Sequence, residues 1–190
     1  TAITQLALPL IAATVLKVTP FEFGLLTTIE LLPFILLSLP AGVWIDRFRR
    51  RPILILGDLG RAVAIASIPG AFYFDALTIW QLYVVGFING CFTVFFDVAW
   101  QSYLPSVVDR DQLVEGNSKL QITQSAAQIL GPGMAGILIG ALRAPFAMIL
   151  DSLSYVVSAI FVFFIRRPEP PVEQHDEAVH GPKPSMRQEV

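Results

Sequence analysis

Gly42-Val43-Trp44-Ile45-Asp46-Arg47-Phe48-Arg49-Arg50-Arg51-Pro52 places five charged residues in eleven positions, between two long apolar stretches at 21–45 and 53–74. A helix crossing the hydrocarbon core of a bilayer takes about 20 mainly apolar residues, so each flank is long enough to cross. The charged segment between them is therefore a hydrated turn. Glycine lets two helices approach closely, an aspartate suits the N-terminal end of the helix that follows, and arginines hold such a turn in the cytosol. The segment reads as a tight hairpin joining two membrane helices.

The rest of the chain agrees with that reading. It has 190 residues, 54% hydrophobic and 15% charged, with a mean hydropathy of +0.64. An ordinary soluble domain carries about 25% charged residues, so this chain lacks the polar surface that would cover a soluble globule. The same composition excludes disorder, coiled coil and collagen. Thirteen Lys and Arg against fifteen Asp and Glu leave a net charge of -2 and no basic face, so no nucleic-acid partner is expected. Cys91, the single cysteine, lies in an apolar run and reads as a small buried hydrophobe, without disulfide framework or zinc-type spacing.

Spans are expected at about 1–16, 21–45, 53–74, 76–98, 118–142 and 144–165. Ala76 to Phe96 and Leu120 to Leu142 contain no Asp, Glu, Lys or Arg. The opening stretch is too short to cross and begins at Thr1 without an initiator Met, which reads as a first span whose beginning is missing. A signal peptide would need a basic leading segment and a small-residue cleavage site before Lys17, and neither is present. The fold class is thus an all-α membrane protein, a bundle of six transmembrane helices with the first truncated. Residues 168–190, rich in Pro, Glu and Gln and carrying His175 and His180, read as a solvated linker or tail.

Cations give the orientation. Arg47, Arg49, Arg50 and Arg51, then Arg110 and Lys119, then Arg166, Arg167, Lys183 and Arg187 fall on one side, against Lys17 and Arg143 on the other. The positive-inside rule puts the first group, and with it the tail, in the cytoplasm. A multi-pass protein of the cell's cytoplasmic membrane is expected.

Ionisable residues inside spans cost roughly 2.5–3.5 kcal/mol each at a helix centre, so each calls for a reason. Asp58 and Arg61 stand three apart in the third span and share a face on which they can pair. Asp58 is only about 9 Å along the helix from Pro52 at 1.5 Å per residue, which suggests a neutralised pair near the cytoplasmic interface. Other polar residues form stripes: Asn89, Thr93 and Asp97 in the fourth span, Gln121, Gln124 or Ser125, and Gln128 in the fifth, Asp151, Ser154 or Tyr155, and Ser158 in the sixth. Glu30 sits mid-span in the second. Such stripes turn toward a bundle interior or an aqueous path, serving as interhelical glue or as a cavity lining. Catalysis is not expected. An intramembrane aspartyl protease would want Gly where Ile55 precedes Gly57-Asp58, and no span holds the histidine that rhomboid-like chemistry requires.

Gly42, Asp46, Arg47, Arg50 and Arg51 resemble the signature loop of the major facilitator superfamily, with Arg49 at a usual glycine and Ile45 at a usually small position. In the fifth span, Ala127-Gln128-Ile129-Leu130-Gly131-Pro132-Gly133-Met134-Ala135-Gly136 resembles the helix motif of the family's antiporters, Ala127 and Ala135 replacing two glycines. Small residues four apart allow close helix packing, and proline bends the helix. The fourth-helix arginine common in drug–proton antiporters would fall at Gly86 and is absent. Asp58-Leu59-Gly60-Arg61-Ala62, Phe96-Asp97 followed by Ser102-Tyr103-Leu104-Pro105 after the fourth span, and Leu150-Asp151-Ser152-Leu153-Ser154-Tyr155 look like the branch of siderophore exporters and macrolide efflux proteins.

The resemblance implies the N-terminal half of an exporter that moves a small amphipathic compound by alternating access, within the lipid bilayer and against a C-terminal six-helix half. It assigns the gating loop to Gly42, Asp46, Arg47, Arg50 and Arg51, and the rocking interface to Gly131, Pro132 and Gly136. Glu30, Asn89, Asp97, Gln128 and Asp151 are cavity candidates, and Asp58 and Arg61 the intramembrane charge pair. No cofactor or metal is implied, and protons are a candidate coupling ion. The alternative is a six-helix scaffold or partner subunit that transports nothing itself.

Overall fold

The computed structural model describes residues 1–45, 48–107 and 113–165, without the side chains of 43, 104–107, 113 and 114. Asp46, Arg47, Arg110 and the tail at 168–190 lie outside the described residues. The described chain is helical: α1 (Ala2–Thr14), α2 (Pro20–Ile45), α3 (Arg50–Tyr73), α4 (Ile79–Val107), α5 (Leu113–Leu142) and α6 (Ala144–Phe164). Five of these, α2 to α6, are long and apolar enough to cross a membrane, and α1 is a shorter apolar helix. An all-α bundle is the arrangement the sequence predicts, because a helix satisfies its own backbone inside lipid.

Helix starts and stops follow from local chemistry. Thr19 and Glu22 open α2 with a reciprocal cap: the Thr19 N–H donates to the Glu22 carboxylate at 2.8 Å, and the Glu22 N–H to the Thr19 hydroxyl at 3.3 Å. The connections α1–α2, α3–α4 and α5–α6 each turn at a non-glycine residue of positive φ, Lys17 (50°), Asp75 (53°) and Arg143 (67°). Pro9, Pro33, Pro40, Pro69 and Pro132 all lie inside helices, a position that membrane helices tolerate. Two helices are longer than the apolar runs. α4 continues through Ser102 to Val107, a stretch expected to follow the span, and α5 starts at Leu113 rather than near 118.

Packing pairs α3 with α6, α3 with α4, and α2 with α4, while α1 sits against α5 and α6. Helix α3 runs opposite to α6: the Arg51 guanidinium at its start reaches the Phe163 carbonyl at the end of α6, and Phe72 near its end meets Phe146 edge-on at 5.7 Å. Helices α2 and α4 run the same way, with the Tyr83 hydroxyl donating to the Glu22 carbonyl at 3.1 Å at one end and Trp44 stacked on Phe95 toward the other. Close approach depends on small residues. A Cβ on Gly60 would fall 2.4 Å from the Phe92 ring, and one on Gly90 2.8 Å from Pro33 and 3.1 Å from the Glu30 carbonyl. One apolar core joins α1, α3, α4 and α6 around Leu8, Ile65, Leu82 and Met148, and a second, around Ile45, Leu54, Ala99 and Tyr103, fills the end that carries Arg49.

The six helices are unequally enclosed. Of the membrane-crossing windows, 44% of α3 and 39% of α4 and of α6 is buried, against 11% of α2 and of α5. Helices α2 and α5 each present most of their circumference outward.

Candidate functional site

A charged cluster lies at the centre of the bundle. Arg61 is the twelfth of the 24 residues of α3, so the cation sits at the middle of its helix. Its guanidinium meets Asp58 Oδ1 at 2.5 Å, and its Nε donates to the Gly57 carbonyl at 3.2 Å. The spacing puts both side chains on one face of α3, and the pair is buried, Asp58 at 1% and Arg61 at 5% exposure. Aromatic rings enclose the cation, with Phe96 of α4 at 4.2 Å and Tyr155 of α6 at 4.5 Å from the guanidinium carbon. A ring face attracts a desolvated cation by about 2 kcal/mol, which offsets part of the cost of burying it.

Two more carboxylates share this field. Asp151 of α6, fully buried, accepts hydrogen bonds at one oxygen from the hydroxyls of Thr1, just before α1, and Thr4 on α1. Asp97 of α4 lies on the exposed side of the cluster and interacts electrostatically with Arg61. Ser152, beside Asp151, donates to the Ala62 carbonyl of α3 at 2.8 Å and ties the two helices together. The arrangement therefore gathers Asp58, Asp97 and Asp151 from three helices around one guanidinium. Sequence reasoning assigned these aspartates to separate roles, a local pair and two cavity positions. The parts it did not identify are Thr4, whose only signal is a hydroxyl in an apolar helix, and Phe96 as the ring over Arg61.

The other expected residues lie elsewhere. Glu30 of α2, half-buried, packs against Gly86 and Gly90 of α4. Asn89 is partly buried, its side-chain oxygen without a hydrogen bond among the described residues, while Thr93 donates to the Asn89 carbonyl at 2.8 Å. Gln128, with the rest of 121–130, is exposed on α5. In the same helix Gly131 approaches Ala2 of α1, where a Cβ would meet it at 3.2 Å, whereas Pro132 and Gly136 are exposed and nothing lies within 4 Å of a Cβ built on Gly136. Of the loop motif, Gly42 closes α2, and Arg50 and Arg51 open α3. The Arg51 guanidinium donates to the Phe163 carbonyl and lies 5.5 Å from that ring's centre.

The sequence profile of the Major Facilitator Superfamily matches residues 1–188. The chain is 30% identical over 162 residues to an uncharacterized MFS-type transporter, YfiS, of Bacillus subtilis, covering 85% of this chain and 38% of that protein. It is 28% identical over 138 residues to macrolide efflux protein A of Enterococcus faecalis, covering 73% of this chain and 43% of that one. Against the multidrug efflux pump Tap of Mycolicibacterium fortuitum it is 26% identical over 140 residues, covering 71% and 34%. The chain thus spans less than half the length of these relatives. No solved structure matches it significantly. With the profile extending over nearly its whole length and helices able to cross a bilayer several times, this multi-pass membrane chain belongs to the Major Facilitator Superfamily.

Proposed function

We propose that the chain is the first six-helix half of an exporter in a bacterial cytoplasmic membrane, which moves a small amphipathic compound outward by alternating access. One observation carries the reading most strongly: α2 and α5 are each buried over only 11% of their membrane-crossing windows, yet α5 carries Gln121, Gln124 and Gln128 exposed. Polar side chains on an otherwise apolar membrane helix favour a protein partner or an aqueous path over lipid. A second bundle against these faces gives both, a central cavity and something to rock against. Gly131, Pro132 and Gly136 then belong to the moving interface, and Glu30, Asn89, Asp97, Gln128 and Asp151 to the polar side of the cavity. The Gly42-to-Arg51 hairpin acts as the gate. That relatives are named for macrolide and multidrug efflux favours export of an amphipathic drug-like compound.

The test is accumulation of labelled macrolides and of catecholate siderophores in cells expressing the complete reading frame. Lower accumulation of one class than in vector controls supports the reading and gives the substrate class. Equal accumulation of both removes these two substrate classes.

A further inference from the structure

Helices α3 and α6 pack together, yet at the end of the bundle opposite Arg49 they leave an apolar groove of about 480 Å³. Ala66 and Gly70 of α3, with Phe74 just beyond it, line one side, and Phe146, Ile149 and Leu153 of α6 the other. All six are exposed, so the groove opens outward from the bundle. Small residues four apart, as Ala66 and Gly70 are, ordinarily let a second helix close in. Here it does not, for a Cβ built on Gly70 meets nothing within 4 Å. Beside the gap, Phe72 and Phe146 meet edge-on with ring centres 5.7 Å apart and space the two helices. Atoms lining a void lose their dispersion contacts, and a groove open to bilayer hydrocarbon regains them from an acyl chain.

The mouth of the groove is charged. Tyr73 and Phe74, 74% and 77% exposed, form an edge-on aromatic pair at the end of α3, and such residues sit at headgroup level. Asp75 follows them, and Arg143 immediately precedes α6. Asp75 lies three residues beyond Phe72 and Arg143 three before Phe146, so in these antiparallel helices the two charges flank the mouth from opposite sides. Both are exposed, and they form no ion pair with each other. A cation and an anion set apart at that level match the phosphate and the ammonium of a zwitterionic headgroup. We propose that the groove is a binding site for one phosphatidylethanolamine molecule in the leaflet opposite the Arg49 turn. An acyl chain lies between α3 and α6, Arg143 binds the phosphate, and Asp75 accepts from the primary ammonium, whose three N–H donors suit a carboxylate. The depth agrees: from Tyr73 to Ala66, and from Ala144 to Leu153, the groove runs about 10–14 Å inward at 1.5 Å per residue, close to half of a roughly 30 Å core. A headgroup carrying only negative charge leaves Asp75 unpaired beside the phosphate, which sets the preference. The site depends on no reading of what the chain transports.

Native mass spectrometry of the complete protein in mild detergent, titrated with phosphatidylethanolamine or phosphatidylglycerol of matched chains, reads this directly. Wild type is expected to prefer the ethanolamine lipid by about threefold to fivefold, the range of an exposed ion pair. Asp75→Asn, which keeps a residue tolerant of positive φ, should abolish that preference, and Arg143→Asn should weaken binding of both lipids. Gly70→Leu fills the groove and should bind one lipid fewer, while Gly70→Ala leaves most of it open and should bind as wild type does. Leucine at 70 projects into open space, so thermal unfolding should stay near wild type; should that variant fail to fold, the Asp75 substitution still decides. Equal binding of the two lipids by wild type overturns the proposal, as does an ethanolamine preference that survives Asp75→Asn. Undiminished lipid binding by folded Gly70→Leu also overturns it.

Discussion

Glu30 on α2 and Gly86 on α4 face each other: a Cβ on Gly86 would lie 3.1 Å from the Glu30 Cγ and 3.8 Å from its Oε1. Gly86 is also where the resemblance to drug–proton antiporters leads one to expect an arginine. Glycine gives the neighbouring carboxylate no charge to pair with and lets α2 and α4 touch.

The contact orders two substitutions. Gly90→Ala drives a methyl into the Pro33 ring and the Glu30 carbonyl, neither of which yields readily, and should cost about 1–3 kcal/mol, the range for overpacking. Gly86→Ala meets the flexible arm of Glu30 and should cost less than half as much. Thermal unfolding of the two variants in detergent checks the ranking, which a larger loss for Gly86→Ala would reverse.

Breaking the buried ion pair should show strong coupling. Asp58→Ala or Arg61→Ala alone strands a charge and should lose about 3–5 kcal/mol, seen as a large drop in folded yield. The double variant strands neither charge and should recover much of it. Purely additive losses would mean that the two charges are compensated independently, Arg61 by its rings and by the other carboxylates.

Asp46→Asn keeps the shape of the hairpin residue and removes its charge. If the Gly42-to-Arg51 segment is the gate, transport by the complete protein should fall at least tenfold, about 1.4 kcal/mol in the transport step, with membrane abundance unchanged. Transport at the wild-type rate would take Asp46 out of the mechanism.

Topology follows from the cation asymmetry. In a background where serine replaces Cys91, cysteines at Arg49 and Ser106 should resist an impermeant thiol reagent added outside intact cells, while those at Asp75 and Leu142 should react. Labelling of the first pair would invert the orientation.

The helices were legible because apolar runs of span length leave the chain little choice in lipid. Their ends were not, since hydropathy reports where the bilayer stops and not where the helix does. Ser102 and Glu115 continue α4 and α5 in surroundings where a helix need not be apolar. The i, i+3 spacing brought out Asp58 and Arg61, but not that Thr4, Asp97, Asp151 and Tyr155 meet there, because that depends on how α1, α4 and α6 pack on one another. The openness of α2 was equally hidden, as its composition is apolar on nearly every side, and the glutamine stripe of α5 marked a face without showing that the other helices leave it uncovered.

The central claim is that this bundle is one half of a two-bundle exporter, and efflux from proteoliposomes tests it most directly. Vesicles loaded with a labelled substrate identified in the accumulation assay would contain residues 1–190 alone, the remaining six-helix half alone, or both halves together. Alternating access needs two bundles that rock about a shared site, so efflux is expected only when both are present. Export by the 190-residue chain alone would contradict the account.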